Sequence, residues 1–386
     1  DVTAYHQSYY IGHKVGYPLY ENTDVVFYKE AADGFRAQIE EMKKAQKFIF
    51  MEYHAIEDRE AFAEMKAVLF AKAKEGVEVR IVYDDVGSVG FISPEFVKQM
   101  KAHGIDCRIF NPMMPVLNIF MNNRDHRKIT VIDGRVGFTG GYNLANEYFN
   151  ITHPYGVWKD SGVRLEGEAV RSLTLIFMEM WNAIRGTDTE YEKYLPDGVF
   201  EAKGGGYVQP YADSPLDRER VGENVYMNII KGATEYVYFI TPYLIISDEM
   251  KRELGLAAKR GIDVRIVTPG IPDKKLVYRL TRSYYAGLIR DGVRVYEYTP
   301  GFCHAKQCIC DGKIATVGTI NLDYRSLYFH FENGVYLYDV PAIKDIRQDF
   351  EEVFAVSTEV GNNYHTARSP FKRLGQYFLR LFAPLL

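Results

Sequence analysis

His126-Arg-Lys-Ile-Thr-Val-Ile-Asp133-Gly134 and His304-Ala-Lys-Gln-Cys-Ile-Cys-Asp311-Gly312 are two copies of one pattern, H-x-K-x4-D-G, in a chain of 386 residues. One copy would mean little, since a histidine and a lysine on a strand are unremarkable. Two copies call for a search for repeats, because self-similarity decides the fold before finer signals do. Three more segments recur in the same order. Lys47–Tyr53 matches Val237–Tyr243, Gly76–Val82 matches Gly261–Val267, and Gly104–Phe110 matches Gly292–Tyr298. The offset drifts from 190 residues (Lys47 to Val237) to 178 (His126 to His304), so connecting loops differ in length. The loop ahead of His126, residues 111–122, is one such insertion.

Each half reads strand, helix, strand, helix, strand, strand. Phe48–Tyr53 and Val77–Tyr83 are short apolar runs rich in β-branched and aromatic residues. Asp58–Lys74 and Asp248–Lys259 read as helices that stop at Gly76 and Gly261. Alternating β and α elements predict a mainly parallel, mixed sheet covered by helices. Asp133-Gly134 and Asp311-Gly312 each predict a tight hairpin at the end of a half. The expected fold class is therefore α/β, as two similar α/β/α lobes related by a pseudo-twofold axis. Lobe boundaries are expected at 1–205 and 206–365, beside the glycine-rich Lys203–Gly206, with 366–386 as an amphipathic C-terminal helix.

Bulk properties narrow the classes. Hydrophobic residues make up 47% and charged residues 25%, ordinary for a globular protein. Net charge is −4, which argues against a protein that coats nucleic acid. Cys303, Cys308 and Cys310 are spaced C-x4-C-x-C, unlike the usual zinc patterns. On a strand Cys308 and Cys310 share a face, and a reading as small buried hydrophobes is preferred to a metal site. No run of about 18 apolar residues predicts a membrane span.

The duplicated motif carries chemistry. Asn143 follows His126 by 17 residues and Asn321 follows His304 by 17, each behind a glycine-containing turn. A half-buried histidine beside a solvated lysine, merely duplicated, does not explain those asparagines. Two histidines, two lysines and two asparagines suit an anion site. Phosphoryl transfer needs neutralised nonbridging oxygens, an in-line nucleophile and an acid for the leaving group. One histidine is able to attack phosphorus while the other protonates the leaving oxygen. That scheme requires no metal, and no G-x4-G-K-[ST] loop is present.

These motifs resemble the phospholipase D superfamily, and the wider pattern resembles its cardiolipin synthase branch. The resemblance rests on Asn123–Ile129, Phe138–Asn143, Trp158-Lys-Asp160, Thr241-Pro-Tyr243 and Asn321–Ser326 with Asn333 behind it, and spans roughly residue 20 to 386. It implies a motif set of His126, Lys128, Asp133, His304, Lys306 and Asp311, with His126 as nucleophile and His304 as general acid and later base. Asp133 and Asp311 are then expected to hold strand-turn geometry, and Asn143 and Asn321 to bind phosphate. Asp160 is assigned to orient His126 and Glu332 to orient His304, each by its position downstream of the motif. No cofactor and no metal are expected. The implied reaction joins two phosphatidylglycerol molecules into cardiolipin and glycerol through a phosphohistidine, at a bacterial cytoplasmic membrane. Related proteins commonly begin with membrane-spanning helices that this sequence lacks.

Two segments bear on the substrate. In 368–386, Phe371, Leu374, Phe378, Leu381, Phe382 and Leu385 fall on one helical face, with Arg368, Lys372, Arg373 and Arg380 supplying positive charge. An interfacial helix on anionic lipid and a helix packed on the protein's own core are equally supported. The apolar loop 111–122 reads as a lipid-facing lip or as a cover for the core. The remaining histidines, among them His54 and His330, have no partner in the repeat and are expected at the surface or in the core. Rival functions are a hydrolytic phospholipase D, a nuclease of the same superfamily and a catalytically silent membrane scaffold. A nuclease would want a basic groove with stacking aromatics, and two complete motif sets argue against a scaffold. No nucleic-acid partner is expected.

Overall fold

The structure is a computed structural model that describes residues 1–113, 122–196 and 198–361. Its first sheet is built from β1 (Thr23–Tyr28), β2 (Phe48–Tyr53), β3 (Glu78–Asp84), β4 (Asp106–Phe110), β5 (Lys128–Ile132) and β6 (Val136–Gly140). The short β7 (Val157–Lys159) leaves it, and β8 (Gly162–Gly167) returns. The strand order is β1-β8-β6-β5-β2-β3-β4. The second sheet uses β9 (Tyr207–Asp213), β10 (Tyr236–Ile240), β11 (Asp263–Pro269) and β12 (Arg294–Tyr298). β13 (Gly301–Cys303) leaves it, followed by β14 (Gln307–Cys310), β15 (Ile314–Gly318), β16 (Glu332–Tyr338) and β17 (Ser357–Glu359). Its order is β17-β12-β11-β10-β14-β15-β16-β9. Apart from the added β17, the two sheets correspond strand for strand, as the repeat requires.

Both sheets are mixed. β2, β3 and β4 run parallel, as do β10, β11 and β12, because helices cross between them. The motif hairpin then reverses direction and pairs antiparallel with β2 or β10, and two more antiparallel strands extend each sheet. The antiparallel share is larger than β–α alternation alone suggests, because β1 and β9 precede their βα units and join at the far edge.

Period-two alternation divides the strands between cores. On β2, Phe48 and Phe50 face a central core between the lobes, while Ile49, Met51 and Tyr53 face the helices 31–43, 60–74 and 94–102. On β10, Tyr238 and Ile240 face the central core and Val237 and Phe239 face the opposite one. Cys308 and Cys310 lie with Val237 and Phe239 on that outer face, buried and unbridged, as their spacing implied. The helices Val170–Ile184 and Ala342–Ala355 fill the central core. Residues Ala4 and Ile11 precede the first sheet yet pack in the second lobe's outer core. The C-terminal segment 366–386 and most of the loop 111–122 lie outside the described residues.

Candidate active site

The two Asp-Gly turns have the predicted geometry. Asp133 and Gly134 adopt φ of 52° and 68°, and Asp311 and Gly312 adopt 51° and 66°, the left-handed values such a two-residue turn demands. Each aspartate fastens the turn to its own sheet. Asp133 accepts from the backbone N–H of Gln46, Lys47 and Phe48. Asp311 accepts from those of Thr234, Glu235 and Tyr236, and from the Thr234 hydroxyl. Both therefore stand at the start of the neighbouring strand, away from the histidines they follow in sequence.

At the other end of each hairpin the chain crosses between lobes. His126 precedes β5, and its N–H donates to the carbonyl of Phe331 at 2.9 Å, while Phe331 N–H donates to Arg124. His304 follows β13, which pairs in parallel with β7, and its N–H donates to Lys159 at 2.7 Å. Phe331 and Lys159 each stand one residue ahead of an acid. The acid that orients each histidine thus comes from the opposite lobe. His126 Nδ1 lies 2.9 and 3.0 Å from the two oxygens of Glu332, and His304 Nδ1 lies 2.7 Å from Asp160 Oδ2. This corrects the assignment of Asp160 to His126 and of Glu332 to His304. Counting along one chain cannot reveal the cross-lobe pairing that exchanges the two acids.

Further hydrogen bonds hold the acids still. Thr319 Oγ1 donates to Glu332, and Ser161 N–H donates to Asp160 at 2.9 Å. An acceptor at Nδ1 places the imidazole proton there and leaves the Nε2 lone pair for the cavity. Lys306 Nζ lies 2.6 Å from His304 Nδ1 as well, but an ammonium has no lone pair to accept, so the Nδ1 proton goes to Asp160. Lys128 Nζ donates to the His126 carbonyl at 2.6 Å, and Lys306 Nζ contacts that of His304.

Burial and mutual repulsion set the charges. Both lysines are 1% exposed. Burial pulls Lys128 down to about 8 and Lys306 down to about 7, against the pull of Glu332 and Asp160. Burial, and then Lys128, hold His126 well below the usual imidazole range. His304 is lowered to about 3 by burial and Lys306, with Asp160 opposing. Burial pushes Asp160 up, but Lys306 and His304 outweigh it and keep the carboxyl ionised. Before substrate arrives, both imidazoles are neutral.

A cavity of about 440 Å³ opens onto both histidines and is lined by Asn143 and Asn321. The asparagines are partly engaged already. Asn143 accepts from Ala55 N–H and donates to Tyr148, and Asn321 Nδ2 donates to Asp323. Each amide keeps one further hydrogen. The two ends of the cavity differ. Tyr148, Trp158 and Phe302 surround His304, with ring centroids at 5.2, 5.2 and 5.9 Å. His126 instead has His54 at 5.0 Å and His330 at 5.4 Å. His54 and His330 therefore line the site, contrary to the expectation that they lie elsewhere. His126, His330 and Glu332 also bring three ligand-type atoms within 4.8 Å of one another.

The family model described as cardiolipin synthase, PLD-like domain, matches residues 38–181 and 226–354, which take in both motifs and both acids. The chain belongs to this family. An uncharacterized protein of Streptococcus mutans is 44% identical over 99% of this chain and 83% of its own length. Cardiolipin synthase 2 of Bacillus cereus is 38% identical over 91% of this chain and 68% of its own. Among solved structures, phosphatidylserine synthase of Haemophilus influenzae superposes with a TM-score of 0.73 at 14% identity, covering 98% of this chain and all of that one. That likeness concerns the fold of this member of the cardiolipin synthase family, and the fold alone. Among the described residues no helix is long and apolar enough to cross a membrane.

Proposed function

We propose that this member of the family is a phosphatidyltransferase that makes cardiolipin from two phosphatidylglycerol molecules through a phosphohistidine on His126. The reading is carried by the crossed pairs, His126 with Glu332 and His304 with Asp160, whose histidines open onto one cavity, each with a buried lysine two residues on in the chain. Lys128, Lys306 and the remaining amide hydrogens of Asn143 and Asn321 neutralise the nonbridging oxygens of a phosphodiester.

His126 Nε2 attacks phosphorus, a nitrogen–phosphorus bond forms, and the bond from phosphorus to the glycerol oxygen breaks. His304 gives its Nε2 proton to that oxygen. A hydroxyl of a second phosphatidylglycerol then gives its proton to His304 and attacks, and the nitrogen–phosphorus bond breaks. One phosphodiester replaces another, so no energy source is consumed.

Assigning the attack to His126 has electrostatic support. Burial and Lys128 hold His126 in the neutral form that attacks, with Glu332 on its Nδ1, and Asp160 pulls His304 toward the protonated form it needs as the acid. An anionic phosphodiester offsets the lysine charges and allows His304 to take up the proton it must donate. Substrate delivery is read as peripheral contact with an anionic membrane surface, with a phospholipid as the only required partner.

The test is mass spectrometry of lipids after incubation with phosphatidylglycerol vesicles in EDTA. Cardiolipin with equimolar glycerol supports the transferase, and loss of both with His126→Ala and with His304→Ala supports the assigned roles. Phosphatidic acid alone would replace this reading with a hydrolytic phospholipase D.

A further inference from the structure

The register of the two sheets matches the orienting acids of the two half-sites, and the residues just ahead of them, to one another. Gly140 on β6 pairs with Gly162 on β8, and Gly318 on β15 pairs with Gly334 on β16. Two residues ahead of those glycines stand Asp160 and Glu332. Two further ahead stand Trp158 and His330. The ring of Trp158 lies 5.2 Å from His304, and the ring of His330 lies 5.4 Å from His126, so the equivalence holds in space.

His330 is 9% exposed and lines the cavity, yet neither ring nitrogen has a hydrogen-bond partner. The nearest carboxylate oxygen, Glu332 Oε1, is 3.6 Å from its Nδ1, outside hydrogen-bond range. Trp158 is 5% exposed and its Nε1 is likewise without a partner. A buried polar ring atom left unpaired costs on the order of 1–3 kcal/mol. Two rings with unpaired nitrogens, at matching places in the lining of one cavity, mark where a ligand can supply what the protein does not.

We propose that His330 is a substrate-binding residue, whose ring holds a phosphoryl oxygen of the phosphodiester beside His126 at the place that mirrors Trp158. This rests on the reading of the cavity as a phosphodiester site. With substrate bound, the ring lies between two anions, Glu332 and the phosphoryl oxygen. A ring N–H donates to that oxygen, a charge-assisted hydrogen bond because the acceptor is anionic. The site acquires a donor additional to the lysines and asparagines, and its two ends become unequal.

The experiment compares the full chain with His330→Phe and His330→Asn, with inorganic phosphate as the probe, by calorimetric titration beside cardiolipin-forming turnover. His330→Phe keeps a ring and removes both nitrogens, whereas His330→Asn restores a donor. Phe should weaken phosphate binding by about tenfold or more, the loss of one charge-assisted hydrogen bond, and Asn should recover to within about threefold of wild type. The KM for phosphatidylglycerol should rise in the same order. Phosphate binding by His330→Phe equal to wild type, or equal losses in Phe and Asn, would overturn the assignment while leaving the cavity's reading intact. A wild-type protein that binds no phosphate and forms no cardiolipin would sink that reading, and this inference with it.

Discussion

Glu332→Gln and Asp160→Asn, compared on two substrates, test the crossed pairing. Glu332 is fully buried, and its oxygens stand 2.9 and 3.0 Å from His126 Nδ1. Gln keeps the volume but can turn an amide N–H toward Nδ1. The ring then carries its proton on Nε2, the atom that has to attack. A wrong tautomer of this kind in a serine-protease triad lowers turnover by ~10⁴, a barrier increase of about 5 kcal/mol at about 1.4 kcal/mol per tenfold. With a carboxylate as buried as Glu332, a loss of ~10³–10⁴ in phosphatidyl-enzyme formation is expected. Asp160 serves His304, so its loss should impair acid catalysis instead. A p-nitrophenyl headgroup leaves without protonation and should bypass that defect. The assay is the pre-steady-state burst of p-nitrophenol from phosphatidyl-p-nitrophenol, set against glycerol release from phosphatidylglycerol. Asp160→Asn should be slow on phosphatidylglycerol by ~10²–10⁴ and within about tenfold of wild type on the activated lipid. Glu332→Gln should be slow on both. The reverse pattern, with Glu332→Gln rescued and Asp160→Asn slow throughout, would refute the reasoning.

Other consequences are as direct. Lys306 and Lys128 are held down to about 7 and about 8, so kcat/KM should fall as pH rises through that range and the free site loses charge. Lys306→Met should lower activity and remove the lower of the two steps in a pH profile. Asp311→Asn should destabilise the fold by ~1.5–3 kcal/mol, measured by urea unfolding, with turnover per folded molecule unchanged. Burial raises the Asp311 carboxyl, but its backbone and Thr234 donors outweigh this and hold it low. A depressed carboxylate stabilises above its unfolded pKa of about 3.9 and ceases to as pH falls through its lower folded value, so the two proteins should converge as the pH drops below that range. EDTA should leave turnover within about twofold, because lysines provide the neutralising charge; a larger loss restored by zinc would point to the His126, His330 and Glu332 cluster.

The repeat was plain in the sequence because both halves keep the same short β-runs and the same turn residues. Asp133-Gly134 and Asp311-Gly312 announced their hairpins, since few residue pairs accept the positive φ they adopt. The alternation of Cys308 and Cys310 gave their shared buried face. Ownership of the acids was not legible. Glu332 and Asp160 are each near one histidine in sequence and touch the other, and only the pairings of His126 with Phe331 and of His304 with Lys159 reveal the exchange. His330 was hidden for a related reason. Its counterpart is a tryptophan, and the loop between Asn321 and His330 is six residues shorter than that between Asn143 and Trp158. Aligning on the acids instead of the histidines would have exposed it.

Main-chain hydrogen bonds join the halves at both histidines, through the Asp125–Phe331 bridge on one side and the β7–β13 pairing on the other. A clamshell motion that parted the lobes would break both histidine–carboxylate pairs with every turnover. The frame is therefore a fixed jig. On the proposed function, a lipid has to rise out of its bilayer to meet it, so looser lipid packing at high vesicle curvature should speed the reaction at constant composition.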